Sequence, residues 1–281
     1  VEGGAGVIRW VLVAVLALAA PAFGQTKPIG AFDAAGAPAW VSFGTLDASG
    51  DLPAPRPGFG WVAQIGMHDD PRLAAGPIAQ AAVDRLTAAG LWGNVIGVTW
   101  GEEWYERWFH GYFDRYGLPA SHPEGVAILH DWIGRQQAIL RAVTGRPVVW
   151  VTSRVSASRP VAAASDIVAL DAYPADGATF AASVEPVLLE AEALTTVPLV
   201  LVPRWFVMTG PFQGAGWRAF SQPPTQDAID GYARYLARPR WIAMWGFLMG
   251  SRPGADLVGL ADMPASLSAV EQSLRARGII R

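Results

Sequence analysis

The sequence predicts an α/β fold, a single-domain (β/α)8 barrel of the TIM type that follows an N-terminal signal peptide. Three observations carry that expectation. Short apolar runs alternate with helix-like segments, which argues for parallel strands joined by crossover helices. Several helical segments stop at a glycine, the residue that best tolerates the left-handed turn after a last helical turn. Polar and aromatic residues gather just past the strand-like runs, where barrels of this kind keep their active sites. The size agrees: the chain has 281 residues, 52% of them hydrophobic, and about 250 residues is usual for one such barrel.

At the N-terminus, Arg9 precedes an apolar run from Trp10 to Ala20, and Ala22-Phe23-Gly24 before Gln25 resembles a small-x-small cleavage site. Residues 1–24 therefore read as a signal peptide and residues 25–281 as the barrel domain of a secreted or periplasmic protein. The apolar core is shorter than the roughly 20 residues a membrane span needs, so no stable membrane insertion is expected after its removal.

Seven strands are predicted at Trp40 to Phe43, Trp61 to Met67, Val95 to Trp100, Pro147 to Val151, Ile167 to Leu170, Leu199 to Val202 and Trp241 to Phe247. The eighth has to be irregular or lie near residues 25–35. Helices are predicted from Leu73 to Ala89, Trp104 to Tyr116 and Pro123 to Thr144, stopped by Gly90, Gly117 and Gly145. Ser121 to Glu124 has capping-box spacing, with Pro123 near the first helical position, where its missing N–H costs nothing. Later helices fit Phe180 to Leu194, Thr225 to Ala237 and Pro264 to Arg277, and the connection from Thr152 to Ser165 has room for a short helix only. Ala48 to Gly60, rich in Pro and Gly, reads as a loop. An open nucleotide-binding sheet would want a glycine-rich turn after its first strand, and neither G-x-G-x-x-G nor G-x-x-x-x-G-K-[ST] follows a strand here.

The most informative stretch is Asn94 to Trp104, an apolar strand running straight into Glu102 and Glu103. Alternation puts Val95, Gly97, Thr99, Gly101 and Glu103 on one face and the bulkier Ile96, Val98, Trp100 and Glu102 on the other. In a barrel the bulky face packs on outer helices, so Glu103 is the acid expected at the mouth. The plainer alternative is that both acids favour the first turn of the following helix. Other strand ends deliver His68-Asp69-Asp70, Asp171-Ala172-Tyr173-Pro174, Pro203-Arg204-Trp205-Phe206 and Trp245.

Composition closes off several chemistries. With no cysteine, disulfides, thiolate nucleophiles and Cys-ligated metals are excluded. A net charge of -3 and 21 basic residues give no footprint for nucleic acid. His68, Asp69 and Asp70 could hold a metal, but there are four histidines and no H-E-x-x-H spacing, so no metal or other cofactor is expected. No G-x-S-x-G elbow occurs either.

The segments GEEWY (Gly101 to Tyr105), DIVALDAYP (Asp166 to Pro174), PLVLVPRWF (Pro198 to Phe206) and WIAMWGF (Trp241 to Phe247), with Arg146 to Thr152 between the first two, resemble the last five strands of a clan A glycoside hydrolase barrel. The resemblance covers roughly residues 94–250. It implies that Glu103, or failing that Glu102, is the general acid/base of a glycosidase. Asp171 and Tyr173 match the polar residues after strand six, and Trp245 the sugar-stacking aromatic of strand eight. One departure is plain: where the clan carries its strand-seven Glu nucleophile, this chain has Pro203-Arg204, and no acid occurs between Glu192 and Asp227. Glycoside hydrolysis ordinarily needs two carboxyl groups. Asp171, on the same strand face as Ile167 and Ala169, is the first candidate for the second, followed by Asp69 or Asp70 and then Glu102.

Arg204 is expected either to keep a partner carboxylate ionised or to bind an acidic sugar. The 13 tryptophans suit stacking on sugar faces, with Trp104, Trp205 and Trp245 at strand ends, while Trp132 and Trp150 read as packing residues. Together these features predict a secreted O-glycosyl hydrolase acting on an oligo- or polysaccharide by general acid/base catalysis. His68, Asp69, Asp70, Trp104, Tyr173, Arg204, Trp205 and Trp245 are its expected substrate contacts. The alternatives are a catalytically inactive barrel that binds carbohydrate or protein, and a metal-dependent hydrolase at His68 and Asp69.

Overall fold

The computed structural model describes residues 26–34, 36–65, 75–100, 123–156, 159–209, 220–247, 249–251 and 256–281, with the side chains of 123–129 excepted. Eight parallel strands form one sheet: β1 (Ile29–Ala31), β2 (Phe43–Asp47), β3 (Gly60–Gln64), β4 (Val95–Thr99), β5 (Val149–Thr152), β6 (Ile167–Asp171), β7 (Leu199–Val202) and β9 (Trp241–Gly246). Their order is β4-β3-β2-β1-β9-β7-β6-β5. A parallel bridge between Val98 and Val148 joins the two end strands, so the sheet closes on itself. The chain is a (β/α)8-type barrel. Two further strands, β8 (Phe206–Met208) and β10 (Leu257–Gly259), pair antiparallel beyond the carboxyl ends of β7 and β9.

Closure divides the core into two layers, as strand alternation requires. Phe32, Phe43, Val62, Val149, Val151, Ile167, Ala169, Val200, Val202, Ala243 and Trp245 fill the interior. The outer layer, which includes Trp61, Val98, Trp100, Trp150, Leu170, Leu201 and Trp241, packs on the helices. The small side of each wall is required by its neighbours. At Gly30, inside the barrel, a Cβ would overlap the Phe43 ring, and at Gly246 it would overlap the indole of Trp205 on the outside.

The helices are α1 (Ala75–Ala88), α2 (Pro123–Thr144), α3 (Arg159–Ala164), α4 (Phe180–Ser183), α5 (Glu185–Leu194), α6 (Gln226–Leu236) and α7 (Pro264–Ala276). Gly90 and Gly145 follow α1 and α2 at φ of 71° and 60°, the left-handed conformation that a helix stop wants. Among the described residues the connection after β5 holds the six-residue α3, as its length demanded. Trp150 is buried in the outer layer and Trp132 packs against it, both as packing residues.

Three expectations need correction. The run Trp40 to Phe43 is not the second strand; β2 starts at Phe43 and runs to Asp47. Trp40 and Val41 instead close a turn, with the Val41 amide bonded to the Pro38 carbonyl, and bury their side chains in the outer layer. The predicted helix from Phe180 to Leu194 is two helices, because Pro186 near the start of α5 has no N–H to continue the ladder from α4. Finally, strict alternation fails at the start of β4. The β3–β4 register shifts between Trp61 and Val62, Val95 lies in the outer layer and Ile96 packs against the interior. From Gly97 onward the expected order holds: Gly97 and Thr99 pair with inward Val62 and its next inward neighbour Gln64, while Val98 and Trp100 face the helices. The missing eighth strand lies within residues 25–35 as expected, at β1. The predicted helix at Trp104 to Tyr116 lies outside the described residues.

Candidate active site at the barrel mouth

Each strand of a parallel barrel ends on the same rim, so the residues just past β6, β7 and β9 are brought together by closure alone. Asp171 ends β6 in register with Val202 of β7, an interior residue. It follows Ile167 and Ala169 on the inward face and is half-buried. Its carboxylate therefore stands at the top of the lumen, and it lies near enough to Tyr232 to act on that hydroxyl electrostatically. Tyr232, on α6, donates its hydroxyl to the Ala172 carbonyl and so pins the peptide that follows Asp171. Burial, then the Asp171 charge, push the Tyr232 phenol well above its ordinary range.

Two polar atoms face the same interior. Trp245 is 1% exposed, and its Nε1–H has no partner among the described residues. The same holds for Oγ1 of Thr45, which is in register with inward Val62. One face of the Trp245 indole is taken by Phe32, with ring centroids 4.1 Å apart and planes at 12°.

The rim beside Asp171 is aromatic. Tyr173 stands edge-on to Phe206 at 5.8 Å and to Phe220 at 6.0 Å, and Phe206 meets Phe247 at 5.4 Å. Phe247 in turn meets Phe32 at 5.2 Å. A continuous aromatic wall thus runs from the rim down to Trp245.

Arg204 is 4% exposed and already occupied. Its Nη1 donates to Asp176 Oδ1 at 3.1 Å and its Nη2 to the Gln222 carbonyl at 3.0 Å. Oδ2 of Asp176 accepts from the Ser221 amide at 2.7 Å, the Ser221 hydroxyl at 2.8 Å and the Gln222 amide at 3.1 Å. Burial raises the Asp176 pKa, but the hydrogen bonds from Ser221, Arg204 and the two amides outweigh it and hold the carboxyl below its usual range.

The structure therefore brings Asp171, Tyr173, Arg204 and Trp245 to one end of the barrel. Trp205 is set apart from them: it is 2% exposed in the outer layer, edge-on to Trp40 at 6.0 Å. Glu102, Glu103, Trp104, His68, Asp69 and Asp70 lie outside the described residues. Among the described residues no group of three His, Asp or Glu is arranged to hold a metal ion, and no helix is long and apolar enough to cross a membrane. Sequence reasoning missed Asp176, Phe220 and Ser221, because Asp176 meets Ser221 across 45 residues and neither segment carries a motif.

Comparison with solved structures finds distant likenesses only. The solved structures similar to this chain include a calcium-binding mutant of Bacteroides uniformis beta-glucuronidase 2, at 13% identity and a TM-score of 0.49 over 74% of this chain and 26% of that one. They also include a glycoside hydrolase family 17 β-1,3-glucanosyltransferase from Rhizomucor miehei (16% identity, TM-score 0.41, 73% of this chain and 70% of that one). A third is a glycoside hydrolase family 18 N-acetylglucosaminidase from Paenibacillus barengoltzii (12% identity, TM-score 0.47, 88% of this chain and 100% of that one). The chain spans about a quarter to a third of the two Bacteroides uniformis beta-glucuronidases, covering 26% and 31% of them. No family model and no curated protein matches the sequence. Likenesses this distant carry no argument, and both the fold and the chemistry have to be argued from the chain's own residues.

Proposed function

We propose that this chain is an exported glycoside hydrolase in which Glu103 is the general acid/base and Asp171 the second carboxylate. The observation that carries the reading is the position of Asp171, on the interior face at the carboxyl end of β6, half-buried and beside an aromatic rim. Two strands away in the closed barrel, with β5 between them, the inward face of β4 runs through Gly97 and Thr99, and the alternation of the sequence past Thr99 expects Glu103 on that same face. Two carboxyl groups reaching into one lumen are what proton donation to a leaving oxygen, and attack on the opposite face of the sugar, require. Tyr173 stands as a sugar contact in this reading, and His68, Asp69, Asp70 and Trp104 as contributions from the β3 and β4 sides of the rim, while Trp245, 1% exposed and stacked on Phe32, lies in the packed interior beneath them.

Arg204 takes a different role from the one its sequence position suggested. With both Nη groups bonded to Asp176 and Gln222, it braces the rim instead of receiving a substrate carboxylate. The same observation supports a second reading, a barrel that binds saccharide without cleaving it, since the strand-seven position holds a cation that is already paired.

Glu103→Gln and Asp171→Asn, assayed with wild type on a panel of oligo- and polysaccharides, decide between them. Loss of a general acid or base is expected to lower kcat by roughly a hundredfold or more. Full activity in either variant removes that residue from the assignment, and a wild type that binds but cleaves nothing supports the binding barrel.

A further inference from the structure

We propose that Asp176 is a positioning residue that sets the saccharide-stacking surface of the mouth by holding Phe220 against Tyr173. This rests on the reading of the mouth as a carbohydrate site. One carboxylate collects four donors: Arg204 on Oδ1, and the Ser221 amide, the Ser221 hydroxyl and the Gln222 amide on Oδ2. Arg204 completes the ring by donating to the Gln222 carbonyl. The three bonds to Ser221 and Gln222 fix the backbone immediately after Phe220. The guanidinium, 5.2 Å from the Phe220 ring centroid, fixes the ring itself.

Charge-assisted bonds to a half-buried carboxylate are stronger than neutral ones and have defined directions, so the cluster orders a segment that helix or strand propensity does not. Asp176 also lies three residues after Tyr173, so the same turn carries both the clamp and the ring that Phe220 meets at 6.0 Å and 89°. Phe206 backs the pair, at 5.8 Å from Tyr173 and 6.0 Å from Phe220. Aromatic faces held this way match the C–H faces of a pyranose ring, and Asp171 stands two residues before Tyr173, so a sugar stacked there lies beside the carboxylate. Because Arg204 is neutralised by Asp176, the surface suits an uncharged sugar ring rather than a uronic acid.

The test uses the full chain and four variants: Asp176→Asn, Asp176→Ala combined with Arg204→Met so that no buried charge is left unpaired, Phe220→Ala and Phe220→Tyr. Hydrogen–deuterium exchange at the Ser221 and Gln222 amides, both of which donate to Asp176, reports the clamp, and KM and kcat on neutral and uronic oligosaccharides report the surface. The two Asp176 variants are expected to speed exchange at these amides about tenfold. They and Phe220→Ala are expected to raise KM for neutral oligosaccharides by a similar factor with kcat changed less than about twofold, while Phe220→Tyr restores KM. Unchanged exchange in the double variant overturns the clamp whether or not the chain hydrolyses anything. Faster exchange with KM unmoved overturns its role in binding, and a lower KM for uronic than for neutral sugars overturns the substrate class. If wild type cleaves no member of the panel, the catalytic reading fails separately. Calorimetric binding of the same oligosaccharides then replaces KM, and no binding by wild type overturns the surface.

Discussion

Replacing Tyr232 by Phe removes one oxygen from a point where a helix secures the rim of the barrel mouth. Tyr232 is 4% exposed and its hydroxyl bonds the Ala172 carbonyl, one residue past Asp171. Phenylalanine keeps the edge-on contact with Phe180 at 5.1 Å and 82°, so little packing is lost. What is lost is the partner of a buried carbonyl, since Ala172 is 8% exposed. Leaving such an acceptor unsatisfied costs about 2 kcal/mol, which for a domain of this size lowers Tm by roughly 4 to 8 °C. The pH dependence gives an independent check. The folded phenol titrates well above 10.0, chiefly because it is buried, so its stabilising contribution is fully present below the unfolded value near pH 10 and is lost as pH rises through the folded value. Thermal melts of wild type and Tyr232→Phe should therefore differ by a constant amount from neutral pH to about pH 9.5 and converge above that. Tyr235, pushed up to about 12 by burial and by Glu185, is retained in both proteins and shifts both curves alike. A Tm for the variant within 1 °C of wild type at neutral pH would refute the account of how α6 holds the peptide after Asp171.

Two further outcomes follow from the fold and from the N-terminal reading. Gly246→Ala puts a methyl group into the Trp205 ring at the last residue of β9; overpacking of this kind costs roughly 1 to 3 kcal/mol, and a chemical-denaturation midpoint equal to wild type would show that the ring is free to move aside. Export through residues 1–24 predicts a mature protein beginning at Gln25, which the intact mass of protein recovered from outside the cytoplasm checks, since a mass that retains Trp10 to Ala20 contradicts it.

The architecture was legible in the sequence because the terms that set it are local. Apolar runs of strand length, Gly90 and Gly145 as helix stops, and the short room for a helix between Thr152 and Ser165 depend only on a residue and its near neighbours, and they predicted the alternating order. Where a local rule competed with a longer-range one, the reading slipped. The apolar Trp40 and Val41 buried themselves on the outside of the barrel without joining a ladder, and the register shift beside Trp61 inverted the faces of Val95 and Ile96. Pro186 broke a helix that hydrophobic pattern alone had carried through.

By itself, then, the sequence determined the class of fold, the rim on which polar and aromatic residues collect, and the inward direction of Asp171, because a strand's two-residue period is a property of the chain. Tertiary structure alone decided that Phe32 covers one face of Trp245, that Trp205 turns to the helices, and that Arg204 is consumed by Asp176. Those outcomes depend on which residues closure of the barrel brings together from distant segments, as when Asp176 meets Ser221 across 45 positions, and no local pattern encodes such a meeting.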